Sequence, residues 1–233
     1  VTIDIEVKEQ HSALLGRNKV HDSRSLAFPM RASIDRSTWQ SKAIRVYDPV
    51  PNPNQTVGCC TGVAKCVQLN AVGNRKAGRM LDMAEALQIY SRNTQIDPWP
   101  GSWPPDDTGS SGLASCKSAA ELGLAGTTYE WLFGGADEVV QSVMMGRVIS
   151  AGTWWHWDMF GPSAGTYGGL PIVKPTGGEA GGHQYAIRGY DKTKDLVMGR
   201  CWWGGFRDFW ISRENLDSLL RDGGDAHFQR SVA

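Results

Sequence analysis

A cysteine where a loop gives way to a helix, and a histidine at the head of an apolar strand, are the residues best placed to do chemistry. Cys60 follows the turn Gln55-Thr-Val-Gly58-Cys59 and leads into the helical run Thr61-Gly-Val-Ala-Lys-Cys66. A helix start offers unpaired N–H groups and a positive dipole end, which stabilise a thiolate and lower its pKa. His183 lies in Gly181-Gly182-His183-Gln-Tyr-Ala-Ile-Arg-Gly-Tyr-Asp191, with two glycines clearing space ahead of it. Alone, each residue reads more simply as core: a cysteine as a small buried hydrophobe, a histidine as a structural side chain. Together, far apart in sequence, they fit nucleophile and base in Cys–His catalysis. Cys59, Cys60 and Cys66 lack the short paired Cys/His runs of zinc sites, so no metal is expected, and no cofactor is implied.

The surrounding pattern says what must position this pair. Val63, Cys66, Val67 and Ala71 recur at helical spacing, giving a helix over about 61–72. A second helix is expected over about 79–90 with Met80, Met83, Ala84 and Leu87 inward, a third over 111–122, and a fourth over 136–145. Asp97-Pro-Trp-Pro-Gly-Ser-Trp-Pro-Pro-Asp is a long loop of the kind that often carries function. Strands follow at 148–153, 184–190, 195–199 and 206–211, and Ser212 is placed to cap a helix over 213–221. Residues 1–54 show little helical periodicity, and Asp48-Pro-Val-Pro-Asn-Pro-Asn reads as a turn-rich lead-in. Helices first and strands later indicate an α+β chain with two segregated lobes. A cleft between such lobes is a natural site.

Composition narrows the function classes. The 24 acidic and 24 basic residues balance, so no global field draws nucleic acid, and no nucleic-acid partner is expected. No apolar stretch approaches the ~20 residues of a membrane span, so no membrane partner is expected. The alternating, charged start Val1-Thr-Ile-Asp-Ile-Glu-Val does not resemble a signal peptide. Five cysteines, two of them adjacent, suit a reducing compartment and a reactive thiol better than a disulfide framework. The expected location is therefore cytoplasmic. Tryptophans at 154, 155, 157, 202, 203 and 210 read first as core and cleft wall.

Four segments, in order and spanning nearly the whole chain, resemble the papain-like cysteine peptidases, particularly their bacterial and phage-encoded members. Leu15-Gly-Arg … Asp22-Ser-Arg-Ser-Leu resembles their N-terminal arm. Gln55 … Gly58-Cys59-Cys60-Thr61-Gly62-Val-Ala64 resembles their Gln … Gly-Ser-Cys-Thr-Gly-x-Ala nucleophile motif, a register that selects Cys60 over Cys59. Asp107-Thr-Gly-Ser-Ser-Gly-Leu-Ala … Leu122-Gly resembles the glycine-bearing cleft loop and the helix after it. Gly181-Gly-His183 … Gly189-Tyr-Asp191 resembles the general-base strand.

The resemblance implies a papain-like two-lobed α+β fold. Residues 1–54 would form an arm, 55–133 a mainly helical lobe, and 134–233 a strand-rich, β-barrel-like lobe, with a cleft between. It implies Cys60 as nucleophile, His183 as base, and the Gln55 amide with the Cys60 backbone N–H as oxyanion donors. Gln55 stands one residue nearer the cysteine than the family spacing. Asp107, Gly109, Ser110 and Gly112 would line the cleft for a polypeptide substrate, and Trp203 would shield the histidine. Where the family has Asn-Ser-Trp-Gly, this chain has Cys201-Trp-Trp203-Gly204, so Cys201 takes the place of the Asn that orients the histidine. A thiol is a poor acceptor for an imidazole N–H. Three readings follow: a cysteine peptidase, an impaired papain-like domain with a structural or binding role (virion-associated if phage-encoded), and a Cys–His amidase or acyltransferase. No self-inhibiting segment is evident ahead of Cys60, which favours the second.

Overall fold

Local hydrogen-bonding chemistry sets where the helices begin. The computed structural model describes residues 3–6, 15–30, 33–45, 55–71, 74, 80–203 and 206–232. The helices are α1 (Cys60–Leu69), α2 (Met83–Ile96), α3 (Gly112–Glu121), α4 (Gly135–Met144) and α5 (Arg213–Arg221). Ser111 caps α3, accepting from Ala114 N–H at 3.1 Å. Ser212 caps α5, as its sequence position indicates, accepting from Asn215 N–H at 3.1 Å. In α2, Asp82 and Glu85 form a reciprocal capping box, which starts the helix at Met83 rather than near 79. That shift turns the helix. Ala86, Ile89, Tyr90 and Asn93 are its buried face, whereas Met80 and Ala84 are exposed and Met83 and Leu87 half-buried, contrary to the expected inward set. α1 has no side-chain cap, so its first-turn N–H groups stay available to other acceptors.

The strands are β1 (Ile3–Glu6), β2 (Lys19–Asp22), β3 (Lys42–Ile44), β4 (Ala125–Trp131), β5 (Ile149–His156), β6 (Thr166–Tyr167), β7 (Leu170–Val173), β8 (Glu179–Asp191), β9 (Leu196–Trp203), β10 (Phe206–Ser212) and β11 (Asp225–Ser231). Apart from the β1–β2 pair, they run β4-β11-β5-β8-β9-β10-β7-β6 in one sheet, with β3 added against β8. β4, within the range expected for the helical lobe, is an edge strand of this sheet paired to β11.

The molecule is two-lobed, and β8 is shared by both cores. Tyr185 and Ile187 enter a core with Trp155, Phe209, Val139 and Leu216, where α4 and α5 pack on the sheet. Ala186, on the opposite face, joins Val63, Val67, Ile89 and Trp202 in the core of α1–α3. Every residue of α1 is buried, which fixes its N-terminus against β8. Among the described residues, no helix is long and apolar enough to cross a membrane. The Asp48–Asn54 lead-in and Gly204 lie outside the described residues.

Candidate active site

Cys60 is the first residue of α1, fully buried, with Cys59 at the cap position. Its sulfur meets the backbone of β8 at Gln184, one residue beyond His183. Burial pushes the thiol up to about 12, against the N–H groups of Gln184, Gly16 and Thr61 and the Arg17 charge, which all favour the thiolate. Burial likewise drives His183 down to about 3. Both groups are therefore neutral in this structure. Desolvation outweighs the helix-start effect on which the expected thiolate–imidazolium pair depends.

What meets the cysteine from the cleft side is the chain's own N-terminal segment. Gly16 and Arg17 donate their N–H groups to the Gly182 carbonyl at 3.1 and 3.0 Å. On the other side, Ser110 N–H donates to the Gly16 carbonyl and Asn18 N–H to the Ser110 carbonyl, each at 2.6 Å, in a parallel bridge. Leu15–Asn18 thus crosses the cleft as an extended strand held by both lobes, and it places the Gly16 N–H against the Cys60 sulfur. No self-inhibiting segment is evident in the sequence ahead of Cys60, yet these four residues lie across the cleft. Four residues held by main-chain pairing carry no compositional signal.

The histidine is held by rings rather than by an acceptor. The His183 centroid lies 4.4 Å from that of Trp203 and 5.2 Å from that of Trp155, edge-on to the latter, with Tyr185 stacked at 6.1 Å. Among the described residues neither ring nitrogen has a hydrogen-bond partner, so neither Cys201 nor Cys60 makes such a bond to it, and the expected Cys60–His183 pair is not hydrogen-bonded in this closed form. Cys201 is buried in the strand-lobe core, its thiol pushed up first by desolvation and then by its neighbour Cys60. Gln55 is buried too, and its N–H donates to the Trp202 carbonyl at 3.1 Å, which ties the nucleophile loop to β9.

The cleft loop divides into separate tasks. Ser110 pairs with the arm, and Gly109 packs against the Gly16 carbonyl. Asp107 turns to the nucleophile turn instead. Its two oxygens accept the Gly58 N–H at 2.9 Å each, and Tyr90 O–H donates to Oδ1. The Tyr90 oxygen in turn accepts the Gly109 N–H at 3.0 Å. This Tyr90–Asp107 brace joins the cleft loop to the residues before Cys60. Tyr90→Phe leaves the buried Gly109 N–H without its acceptor and is expected to cost about 1 kcal/mol in a urea titration. An unchanged midpoint would remove the brace from the account. Gly112 points elsewhere: a Cβ there would meet Asp225 Oδ1 at 2.7 Å and His227 Cε1 at 2.8 Å.

Those neighbours belong to a buried polar cluster that the sequence reading missed. His227 Nδ1 stands 3.7 Å from Asp225 Oδ1, and Lys65 Nζ lies 3.3 Å from Cys116 Sγ. Burial raises the Cys116 thiol, but His227 and Lys65 more than offset it, so this cysteine is shifted towards the thiolate. The available signal was Asp225-Ala-His227, whose i, i+2 spacing puts both side chains on one face once 225–231 is read as a strand.

No family model and no curated protein sequence matches the chain. Solved structures do. Xylellain, a cysteine protease from Xylella fastidiosa, superposes with a TM-score of 0.69 at 15% identity, covering 98% of this chain and 100% of that one. Procathepsin B S9 from Trypanosoma congolense gives 0.63 at 11% identity, over 96% of this chain and 88% of that one. Digestive procathepsin L 3 of the Tenebrio molitor larval midgut gives 0.59 at 11% identity, over 87% and 74%. Helical lobe, sheet lobe and the cleft between them therefore constitute a papain-like α+β fold.

Proposed function

We propose that the chain is a cysteine-type peptidase whose own residues 15–18 close its cleft. One observation carries this reading: an extended polypeptide, paired through its main chain to Ser110 and Gly182, lies directly over a helix-start cysteine. A groove that holds one extended strand by backbone groups is suited to another of unrelated sequence. Once the segment withdraws, the burial that keeps Cys60 and His183 neutral falls, while the N–H groups of Thr61 and Gln184 remain to favour a thiolate. Cys60 passes its proton to His183 and attacks the scissile carbonyl as thiolate, with the helix-start N–H and Gln55 receiving the oxyanion. His183 protonates the leaving amine and next activates the water that releases the acyl group.

A second reading, a domain that binds without turnover, is favoured by the His183 nitrogens, which find no orienting acceptor among the described residues. Loss of such an orienting partner lowers turnover steeply without erasing the nucleophile. A thiol-reactive probe combined with peptide hydrolysis separates the readings. Turnover lost in Cys60→Ala and in His183→Ala supports the peptidase, whereas probe labelling of Cys60 with no peptide turnover under any condition supports the binding domain. Turnover confined to non-peptide amides points to an amidase.

A further inference from the structure

The Arg17 side chain fills a site of its own beside the nucleophile. It leaves the arm past Gly182 and Gly152, and a Cβ at Gly152 would stand 2.8 Å from the Arg17 Nε. Nε and Nη2 donate to Asp225 Oδ2 at 3.2 and 2.5 Å, and Nη2 also donates to the Gly223 carbonyl at 2.9 Å. The guanidinium carbon lies 5.9 Å from the centroid of the Trp154 ring. Only 1% of Arg17 is exposed.

With the guanidinium seated, the acceptor is charged. Asp225 Oδ1 faces His227, and behind His227 stand Cys116 and Lys65, with Lys65 Nζ bonded to Gln68 and Gln229 at 3.1 and 3.0 Å. Burial alone would protonate the carboxylate, yet Arg17 and His227 hold it down to about 2. The pocket walls are β5, β8 and β11, the same sheet that carries His183. The groove grips the arm by main-chain groups on both sides of Arg17, and these groups are indifferent to sequence. Side chains are read at the pocket and, on the other side, at the Thr108 carbonyl, which accepts Asn18 Nδ2 at 2.9 Å; the pocket is the one that reads a charge.

We infer that this pocket is a guanidinium subsite of the cleft, so that the polypeptides it takes present an arginine there. The inference rests on the cleft being a polypeptide groove, and it names the substrate class. A planar fork that meets a carboxylate and a carbonyl together is geometry that a lysine ammonium cannot reproduce.

Binding to the full-length Gly16→Val/Arg17→Ala chain tests it, with Cys60→Ala added to prevent turnover. This displaces the arm and empties the pocket. Fluorescence anisotropy would compare two labelled peptides, acetyl-Leu-Gly-Arg-Asn-amide and its citrulline twin, which keeps the shape and loses the charge. The arginine peptide should bind at least tenfold more tightly, and Asp225→Asn should erase the difference. Should Asp225→Asn fail to fold, the two peptides alone decide. Equal affinities, or binding by neither, overturn the subsite. Turnover, measured with Cys60 restored, is a separate readout. Arginine-selective binding without hydrolysis sinks the peptidase reading and leaves the subsite standing, while hydrolysis with no arginine preference does the reverse.

Discussion

A Gly16→Val chain should alkylate at Cys60 about a hundredfold faster than the parent at pH 7.5, or more. Gly16 packs so closely on the Gly58 carbonyl that any Cβ there collides with it, so a valine forces the arm off the cleft. Two effects then act in the same direction. The sulfur becomes accessible, and the burial that holds its pKa near 12 is relieved. At pH 7.5 a thiol of pKa 12 is ionised to only a few parts in about 10⁵, whereas a free thiol near ~8.5 reaches roughly a tenth. Peptide mapping after a short iodoacetamide pulse reads the rate at each cysteine. Cys66, fully buried on α1 itself, is the internal control and should stay unlabelled in both chains. Equal Cys60 rates in parent and variant would show that residues 15–18 do not gate the thiol.

Acid should weaken the closed structure through His183 by about 2 kcal/mol between pH 6.5 and pH 5. The folded pKa of about 3 lies below the ~6.5 of an exposed imidazole, so the unfolded chain takes up a proton that the folded chain refuses. Above pH 6.5 both states are neutral and the ring contributes no slope. Below it, stability falls by up to ~1.4 kcal/mol per pH unit until the folded pKa is reached. Other groups, among them Glu138 and Asp97 whose carboxyls burial raises, are common to both chains and cancel in the comparison below. Asp225, depressed to about 2, keeps its contribution until the pH drops below the usual carboxylate range. Burial pulls His227 down, but Cys116 and Asp225 raise it on balance, so it is protonated in both states below pH 6.5 and its contribution is lost only as pH rises. Urea titrations of the parent and of His183→Phe at pH 6.5, 5.5 and 4.5 isolate the effect, since phenylalanine suits the aromatic box. The unfolding free energy of His183→Phe minus that of the parent should rise steadily with acid. A constant difference would mean that the imidazole is already hydrated or charged in the closed form.

Legibility in the sequence followed whether polarity matched burial. α1, α3, α4 and α5 and the central strands β5, β8, β9 and β10 all fall close to their expected ranges, because apolar residues there face the cores. β11 inverts the rule. Asp225, His227 and Gln229 share one face and are buried, so the alternation that ordinarily marks solvent marks the interior. That inversion hid both the strand and the polar cluster around Cys116. At the candidate site, Cys60 and His183, singled out by their local pattern, lie on adjoining elements, α1 and β8, while Gln55 and Ser110, singled out by the resemblance, pair through their main chains with β9 and the arm. The closed state could not be read from the sequence. It depends on Arg17, an arginine whose burial is set by a carboxylate 208 residues away in the chain.

The arm is tethered close to where it binds. Just after Asn18 the chain continues into β2, bridges to Trp131 at Pro29, and pairs with β8 through β3, so these contacts anchor the segment after residues 15–18 to the large sheet. A segment that lifts from the cleft therefore stays nearby, at a local concentration on the order of millimolar for short flexible tethers. Closure is then a first-order event, indifferent to how dilute the protein is. A free peptide must exceed that effective molarity, or bind more tightly than the arm, before it holds the cleft. Cutting the chain between residue 18 and the first downstream anchor would turn the same contact into an ordinary bimolecular one, and dilution alone would then open the site.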